Sequence, residues 1–227
     1  MSKKKSGIGI YIFLALIIVL IIVLGFLNKM TDPLQGLPNY TEIKGNFDVQ
    51  EIQYDKQPLL GETSAPVKVV MFSDFKCPAC KIWSEKFMDG LIRDYVDSGK
   101  IQLYFMNYAF IDRDSILAAS AGEAIAKQSN EAFWKFYHLM YENQGDETKV
   151  WATQKFLLKL VEANMPEIDF ELFKKDLEEG TYLFDVKEDF KTGGYFGVNG
   201  TPTFFVNGEK VPSAKYEDLK NAIDSTL

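Results

Sequence analysis

Cys77 and Cys80 are the only cysteines among 227 residues, and only Pro78 and Ala79 separate them. An apolar run, Val67 to Phe72, leads into the pair, and an amphipathic segment, Lys81 to Val96, leaves it. A strand feeding Cys-x-x-Cys at the first turn of a helix is the layout of a redox dithiol. At a helix N-terminus, unpaired backbone N–H groups and the positive end of the dipole favour a thiolate at Cys77. Cys80, one turn further in, is expected to be less exposed and to resolve the mixed disulfide. Half of a zinc site is the competing reading, but it needs two more ligands, and the chain offers one histidine, His138, and carboxylates. An inert staple is a poor reading, because so short a ring constrains little of the unfolded chain. A single imidazole also argues against a Ser-His-Asp triad. His138 lies among Trp134, Tyr137 and Tyr141 in a helical pattern and reads as a core or surface histidine.

The elements that must position this pair begin with an unusual N-terminus. Lys3, Lys4 and Lys5 precede an uncharged stretch rich in Ile, Leu and Val. Its apolar part, residues 8–27, is about 20 residues, roughly 30 Å as a helix and the thickness of a bilayer's hydrocarbon. No Ala-x-Ala follows, so an uncleaved anchor is expected rather than a cleaved signal. The lysines of a 1–7 basic tail then stay in the cytoplasm, and the rest is exported. Removing the four lysines of residues 1–30 takes the formal charge from −7 to −11 for the remainder. So acidic a domain is no ligand for nucleic acid.

Residues 28–46 are polar, with Pro33, Gly36, Pro38 and Gly45, and read as a linker. Phe47 to Tyr54 alternates loosely, as an edge strand does. Val67 to Phe72 is apolar on both faces and belongs at the centre of a sheet. The helix after the cysteines has Ile82, Trp83, Phe87, Leu91, Ile92, Tyr95 and Val96 at three- to five-residue spacing. Ile101 to Met106 is the next strand, which makes a βαβ unit with the cysteines beyond the carboxyl end of a parallel strand. Residues 115–180 show four helical patterns and no strand, with Ser115 a candidate N-cap. A last helical pattern, a strand Thr203 to Val206, an Asn207-Gly208 hairpin turn and an amphipathic segment from Lys215 close the chain.

These residues together resemble a known family, the thioredoxin-like DsbA group of extracytoplasmic thiol:disulfide oxidoreductases. The resemblance rests on Phe75-Lys76-Cys77-Pro78-Ala79-Cys80 after a strand, on the inserted helical block, and on Gly197 to Gly208 with its Thr201-Pro202. It covers roughly residues 47–227, and the anchored form is similar to the BdbD-type members of Gram-positive bacteria. It implies an α/β thioredoxin-like fold with a helical insertion at about 113–182, preceded by one transmembrane helix. It further implies that Pro202 follows a cis peptide bond facing the cysteines. Thr201 and Pro202, with Pro78 and Ala79, would contact substrate, and the redox-active disulfide would stand in place of any cofactor. One position departs from the family: a buried acid is usual six residues before the first cysteine, and here stands Met71. Asp74 or Glu62 are candidates to replace it.

The function so implied is oxidation of thiols in exported, unfolded or reduced proteins, with reoxidation by a quinone-linked membrane thiol oxidase. Without histidine between the cysteines, a weaker oxidant than a Cys-Pro-His-Cys relative is expected. The alternatives are a reductase or isomerase on the same fold, or a redox-inactive binder of unfolded chains. Lys76 is either a positive charge beside Cys77 or a solvated surface lysine. The aromatics of 133–141 read as core, some of them candidates to line a groove above Cys77.

Overall fold

The computed structural model describes residues 7–30 and 34–227, with side-chain surroundings in the first stretch given for 10–25. The chain divides into two units, Met1–Gly36 and Leu37–Leu227. In the first, α1 (Gly7–Met30) is one helix whose apolar side chains from Ile10 to Leu24 stand exposed. Among the described residues no helix is long and apolar enough to cross a membrane. The lysines expected to form a cytoplasmic tail, Lys3 to Lys5, lie outside the described residues.

The second unit is built on a five-stranded sheet of β1 (Leu59–Leu60), β2 (Val67–Ser73), β3 (Ile101–Asn107), β4 (Thr203–Val206) and β5 (Glu209–Lys210), in the order β1-β3-β2-β4-β5. The central strands β2 (Val67–Ser73) and β3 (Ile101–Asn107) run parallel, with Val67 opposite Ile101 and Ser73 opposite Asn107. Both are buried on both faces, which is why neither alternates in polarity. β4 (Thr203–Val206) lies antiparallel to β2, and β5 (Glu209–Lys210) returns through Asn207 and Gly208, both at positive φ, 46° and 88°. An Asn-Gly pair tolerates that backbone, as the hairpin signal predicts.

Helices cover both faces. On one, Val70, Phe72, Tyr104, Met106 and Phe205 pack with Ile52 and Phe190. On the other, Phe105 meets Phe133 and Phe204 meets Trp83, with ring centroids 5.0 and 4.7 Å apart.

Helix α2 crosses from β2 to β3 in an irregular coil. It begins as Pro78–Trp83, loosens into a π-helical stretch at Ser84–Met88, recovers at Asp89–Leu91 and loosens again at Ile92–Val96. A π-turn holds an extra residue, which accounts for apolar spacings as long as five. It also rotates the face: Met88 is buried, while Ile82 is exposed and Phe87 half-buried.

The helical block comprises α3 (Arg113–Gln128), α4 (Asn130–Glu142), α5 (Gln154–Asn164) and α6 (Phe170–Glu179), followed by α7 (Leu183–Tyr195). Ser129, Thr153 and Asp169 cap α4, α5 and α6 by accepting a backbone N–H. The cap of α3 is Asp112 rather than Ser115, which is buried inside the first turn. Helix α8 (Tyr216–Asp224) ends the chain.

Two expectations change. The stretch read as a linker over 28–46 contains residues that belong to the globular unit from Leu37 on. Arg113 donates to the carbonyls of Leu37 and Pro38, Lys187 Nζ to those of Tyr40 and Ile43, and Tyr40 stacks on Phe190 at 4.6 Å. Residues 47–54 are not a strand. Phe47 stacks on Phe184, and the Asp48 N–H donates to Glu188 Oε1, so the segment is held by α7 rather than by a strand. The edge strand is β1 (Leu59–Leu60), antiparallel to β3. Its outer side is already occupied. Leu59 N–H donates to Asn130 Oδ1 at 2.8 Å, and Leu59 O accepts from Asn130 Nδ2 and Trp134 Nε1.

Candidate active site

Strand β2 ends at Ser73 and the chain turns at once, with Cys77 N–H donating to Asp74 O at 2.9 Å. Asp74 shapes this turn: Oδ1 accepts from Lys76 N, and Oδ2 from Phe110 N and Ile111 N, at 2.8 to 3.2 Å. Phe75 anchors it from below, stacked on Phe105 and edge-on to Phe136. Gly122 lets α3 come close, since a Cβ there would lie 3.3 Å from both Phe75 and Phe133. From the helical block, Gln144 Nε2 donates to Phe75 O at 2.8 Å and to Cys77 O at 3.1 Å.

Cys77 is the N-cap of α2, with extended backbone, and Pro78 fills the first helical position, where a missing N–H costs nothing. Both thiols are free. The Cys80 N–H donates to Cys77 Sγ at 3.4 Å, and the Cys77 thiol in turn donates to Thr201 O at 3.3 Å. The Cys80 thiol donating to Cys77 pulls its pKa down to about 6, against burial, with further help from the N–H groups of Cys80 and Ala79. Burial, together with the bond it gives Cys77 and the charge there, pushes Cys80 well above the usual thiol range. The two sulfurs are thus unequal, one ready to ionise at neutral pH and one held protonated.

The peptide bond Thr201–Pro202 is cis, as the resemblance implied, and Pro202 is buried. The Thr201 hydroxyl is buried too, with no hydrogen-bond partner. Ala79 and Pro202 help line a mostly apolar groove of about 620 Å³, with Ile82, Trp83, Phe87 and Tyr216 among its other walls, together with Lys215 and Glu217, which flank Tyr216 in sequence. Pro78 and Ala79 are exposed beside it. All six residues singled out in the sequence therefore meet at one place. The aromatics of α4 do not line this groove: Phe133, Phe136, Tyr137 and Tyr141 are core.

Met71 is buried and pairs with Phe105 and Phe204 across the sheet. Neither candidate for a replacement acid serves the sulfurs. Glu62 is exposed, and the carboxylate of Asp74 is occupied by three backbone N–H groups.

Lys76 is neither solvated nor a free charge. It is fully buried, with Nζ 2.6 Å from Asp114 Oδ1 and 2.9 Å from Lys149 O. Asp114 Oδ2 accepts from Trp151 N and Ala152 N. The residue before the nucleophile is thereby pinned to the helical block. Gln144, Asp114 and Tyr141 are contributions that sequence patterns missed, because each lies on a separate element far along the chain.

Among the described residues no group of three or more His, Cys, Asp or Glu is arranged to hold a metal ion. The nearest approach is a buried pair away from the cysteines. Glu123 Oε1 accepts from Asn107 Nδ2, while Asp189 accepts from Asn107 N and Gln57 Nε2. Burial, with Asp189's charge behind it, pushes Glu123 far above the carboxylate range, and burial, with Asp185's charge behind it, lifts Asp189 to about 7.

Comparison with known proteins sets this geometry in context. A family model described as thioredoxin matches residues 53–225. The chain is 40% identical over 226 residues to a probable disulfide bond formation protein D of Bacillus anthracis, covering 100% of this chain and 98% of that one. It is 33% identical over 172 residues to disulfide bond formation protein D of Bacillus subtilis, covering 75% and 77%. The crystal structure of oxidised BdbD from Bacillus subtilis superposes with a TM-score of 0.72 at 30% identity, over 80% of this chain and 98% of that chain. Chlamydia trachomatis DsbA shares the fold, with a TM-score of 0.70 at 21% identity over 81% and 96%.

Proposed function

The chain belongs to the thioredoxin family, and from that premise we propose that it introduces disulfides into exported proteins by exchange at Cys77-Pro78-Ala79-Cys80. It is a thiol:disulfide oxidoreductase, like the disulfide bond formation proteins it resembles along its whole length. The observation that carries the direction is Cys77 Sγ at the N-cap of α2, accepting the Cys80 N–H at 3.4 Å, an environment that favours the thiolate and lowers its pKa. Stabilising the thiolate stabilises the dithiol, and a stable dithiol makes its disulfide a ready oxidant. A substrate thiolate attacks Cys77 Sγ, Cys80 leaves, and a second substrate thiol then displaces Cys77.

Thr201 and Pro202 position the substrate chain, with its apolar side chains in the groove beside Ala79. Residues 8–27 form a single membrane anchor with Lys3 to Lys5 inside, so the domain works on the outer face of the bacterial cell membrane. That reading rests on the length and uncharged character of the stretch. Reoxidation falls to a quinone-linked membrane thiol oxidase, since a disulfide donor must be recharged. No resident cofactor is needed beyond the Cys77–Cys80 disulfide itself.

Cys77→Ser should abolish oxidation of a reduced dithiol peptide while leaving the circular dichroism spectrum intact. Glutathione titration of the native pair should give a potential well above about −270 mV, the value of thioredoxin. A potential at that value would overturn the oxidant reading in favour of a reductase.

A further inference from the structure

The Cys77 sulfur is stabilised as a thiolate only while it stays at the N-cap of α2, where the Cys80 N–H reaches it at 3.4 Å. That placement depends on the backbone around it. A carbonyl oxygen carries partial negative charge, so one left free beside the sulfur opposes the anion. Two carbonyls flank the sulfur in the chain, that of Phe75 and that of Cys77 itself. Cys77 O has one backbone donor, the Lys81 N–H at 3.2 Å, and among the described residues Phe75 O has none.

One side chain meets both. Gln144 Nε2 donates to Phe75 O at 2.8 Å and to Cys77 O at 3.1 Å, which uses both protons of the amide. Among the described residues no other side chain donates to either oxygen. Gln144 lies just past the end of α4, yet it stands on a fixed base. Its own N–H donates to Tyr141 O at 3.3 Å, and Asn143 closes the helix on Leu139 O. The same helix end sends in Tyr141, whose hydroxyl is 2.7 Å from Ser73 Oγ and 3.3 Å from Asp74 O. Helix α4 thus holds the active-site turn along its length, and Gln144 is the hold beside the nucleophile. The charged groups around the turn are otherwise committed. Lys76 and Asp114 form a buried ion pair, and Asp74 engages three backbone N–H groups. Asp146 is exposed and bonded to Thr148, and Lys149 is exposed.

We propose that Gln144 is a positioning residue of the exchange, whose amide fixes the Phe75 and Cys77 carbonyls and so keeps Cys77 Sγ at the first-turn N–H groups of α2. This rests on the oxidoreductase reading above and adds to it a group from the helical block that acts on the nucleophile through its backbone.

The test follows the Cys77 thiolate of the full reduced chain by its ultraviolet absorbance against pH, with circular dichroism to check that each variant is folded. Gln144→Ala removes both donors and should raise the midpoint by about half a pH unit, about threefold in the thiolate-to-thiol ratio at a given pH. Gln144→Glu sets a charged acceptor against the two carbonyls and should raise it by about one unit, about tenfold. Gln144→Lys keeps a donor and adds positive charge, and should return the midpoint to the native value or below it. The exchange equilibrium with glutathione should follow the same order, the disulfide being a weaker oxidant wherever the midpoint rises. Gln144→Glu and Gln144→Lys shifting in the same direction would mean that the side chain only packs, and would overturn the proposal even if Gln144→Ala does not fold. A folded Gln144→Ala chain whose midpoint overlaps the native one overturns it equally. A native chain that does not exchange with glutathione overturns the oxidoreductase reading, and this proposal with it.

Discussion

Helix α3 carries two buried carboxylates, and they lead opposite lives. Asp114, in its first turn, faces Lys76 Nζ, Trp151 N and Ala152 N. Glu123, toward the middle, has one neutral donor, Asn107 Nδ2, and a second acid, Asp189, as neighbour. Burial is complete at one and nearly so at the other, 0% and 3% exposed. What differs is the supply of donors. At Asp114 they hold a charge that ties the active-site turn to the helical block. At Glu123 their scarcity, with burial, raises the acid far above the carboxylate range, and its neighbour Asp189 rises to about 7. The cysteines repeat the contrast within one turn of helix, with Cys77 well supplied and Cys80 poorly so. Between Asp114 and Glu123 it is the donors that differ and hardly the depth.

The sharpest way to break this comparison is Asp114→Ala. It strands the Lys76 ammonium without an anion, and denaturant unfolding should show a loss of about 3–5 kcal/mol. Glu123→Gln replaces a group already neutral and should lose only about 1 kcal/mol. Equal losses would mean that Glu123 is charged in the fold.

A second, smaller effect distinguishes the redox states. Cys77 titrates near 6 in the fold, against about 8.5 for an unfolded thiol. A depressed folded pKa adds stability that is fully present above the unfolded value and disappears as pH falls through the folded one. Melting curves of the reduced chain should therefore gain on those of the oxidised chain between about pH 6 and 8.5, and a gap independent of pH would contradict the low value.

A further effect has the opposite sign and appears in both redox states. Glu123 and Asp189 are raised in the fold, so the unfolded chain sheds their protons first, above about pH 4. Stability should decline as pH rises from there through about 7, and Asp189→Asn should flatten that slope in thermal melts. A slope unchanged in Asp189→Asn would assign it to other groups.

The site was legible in the sequence wherever its chemistry is local. Cys77 and Cys80 announce themselves by type and spacing, the parallel strands by unbroken apolar runs, and the Thr201-Pro202 loop by its resemblance to the family. What escaped depends on partners that spacing does not pair. Lys76 looks like any lysine until Asp114, on another element, is folded against it. Ser73 and Tyr141 are ordinary until their hydroxyls meet. Phe47 to Tyr54 alternates well enough for a strand, but α7 binds it with ring and carboxylate contacts and leaves the sheet edge to Leu59. Ser115 was the expected cap, but the fold caps the helix with Asp112, three residues earlier, and buries Ser115 in the first turn.

The bonds from Asn130 and Trp134 to Leu59 have a bearing on the company this protein keeps. A catalyst for unfolded chains spends its working life among extended backbones in search of a partner, and an open sheet edge would invite them to nucleate aggregates. An amide side chain that imitates a neighbouring strand closes that invitation at β1, while the opposite edge strand, β5, is only two residues long. Both flanks of the sheet are thus closed to strand addition, one by side-chain hydrogen bonds and one by brevity.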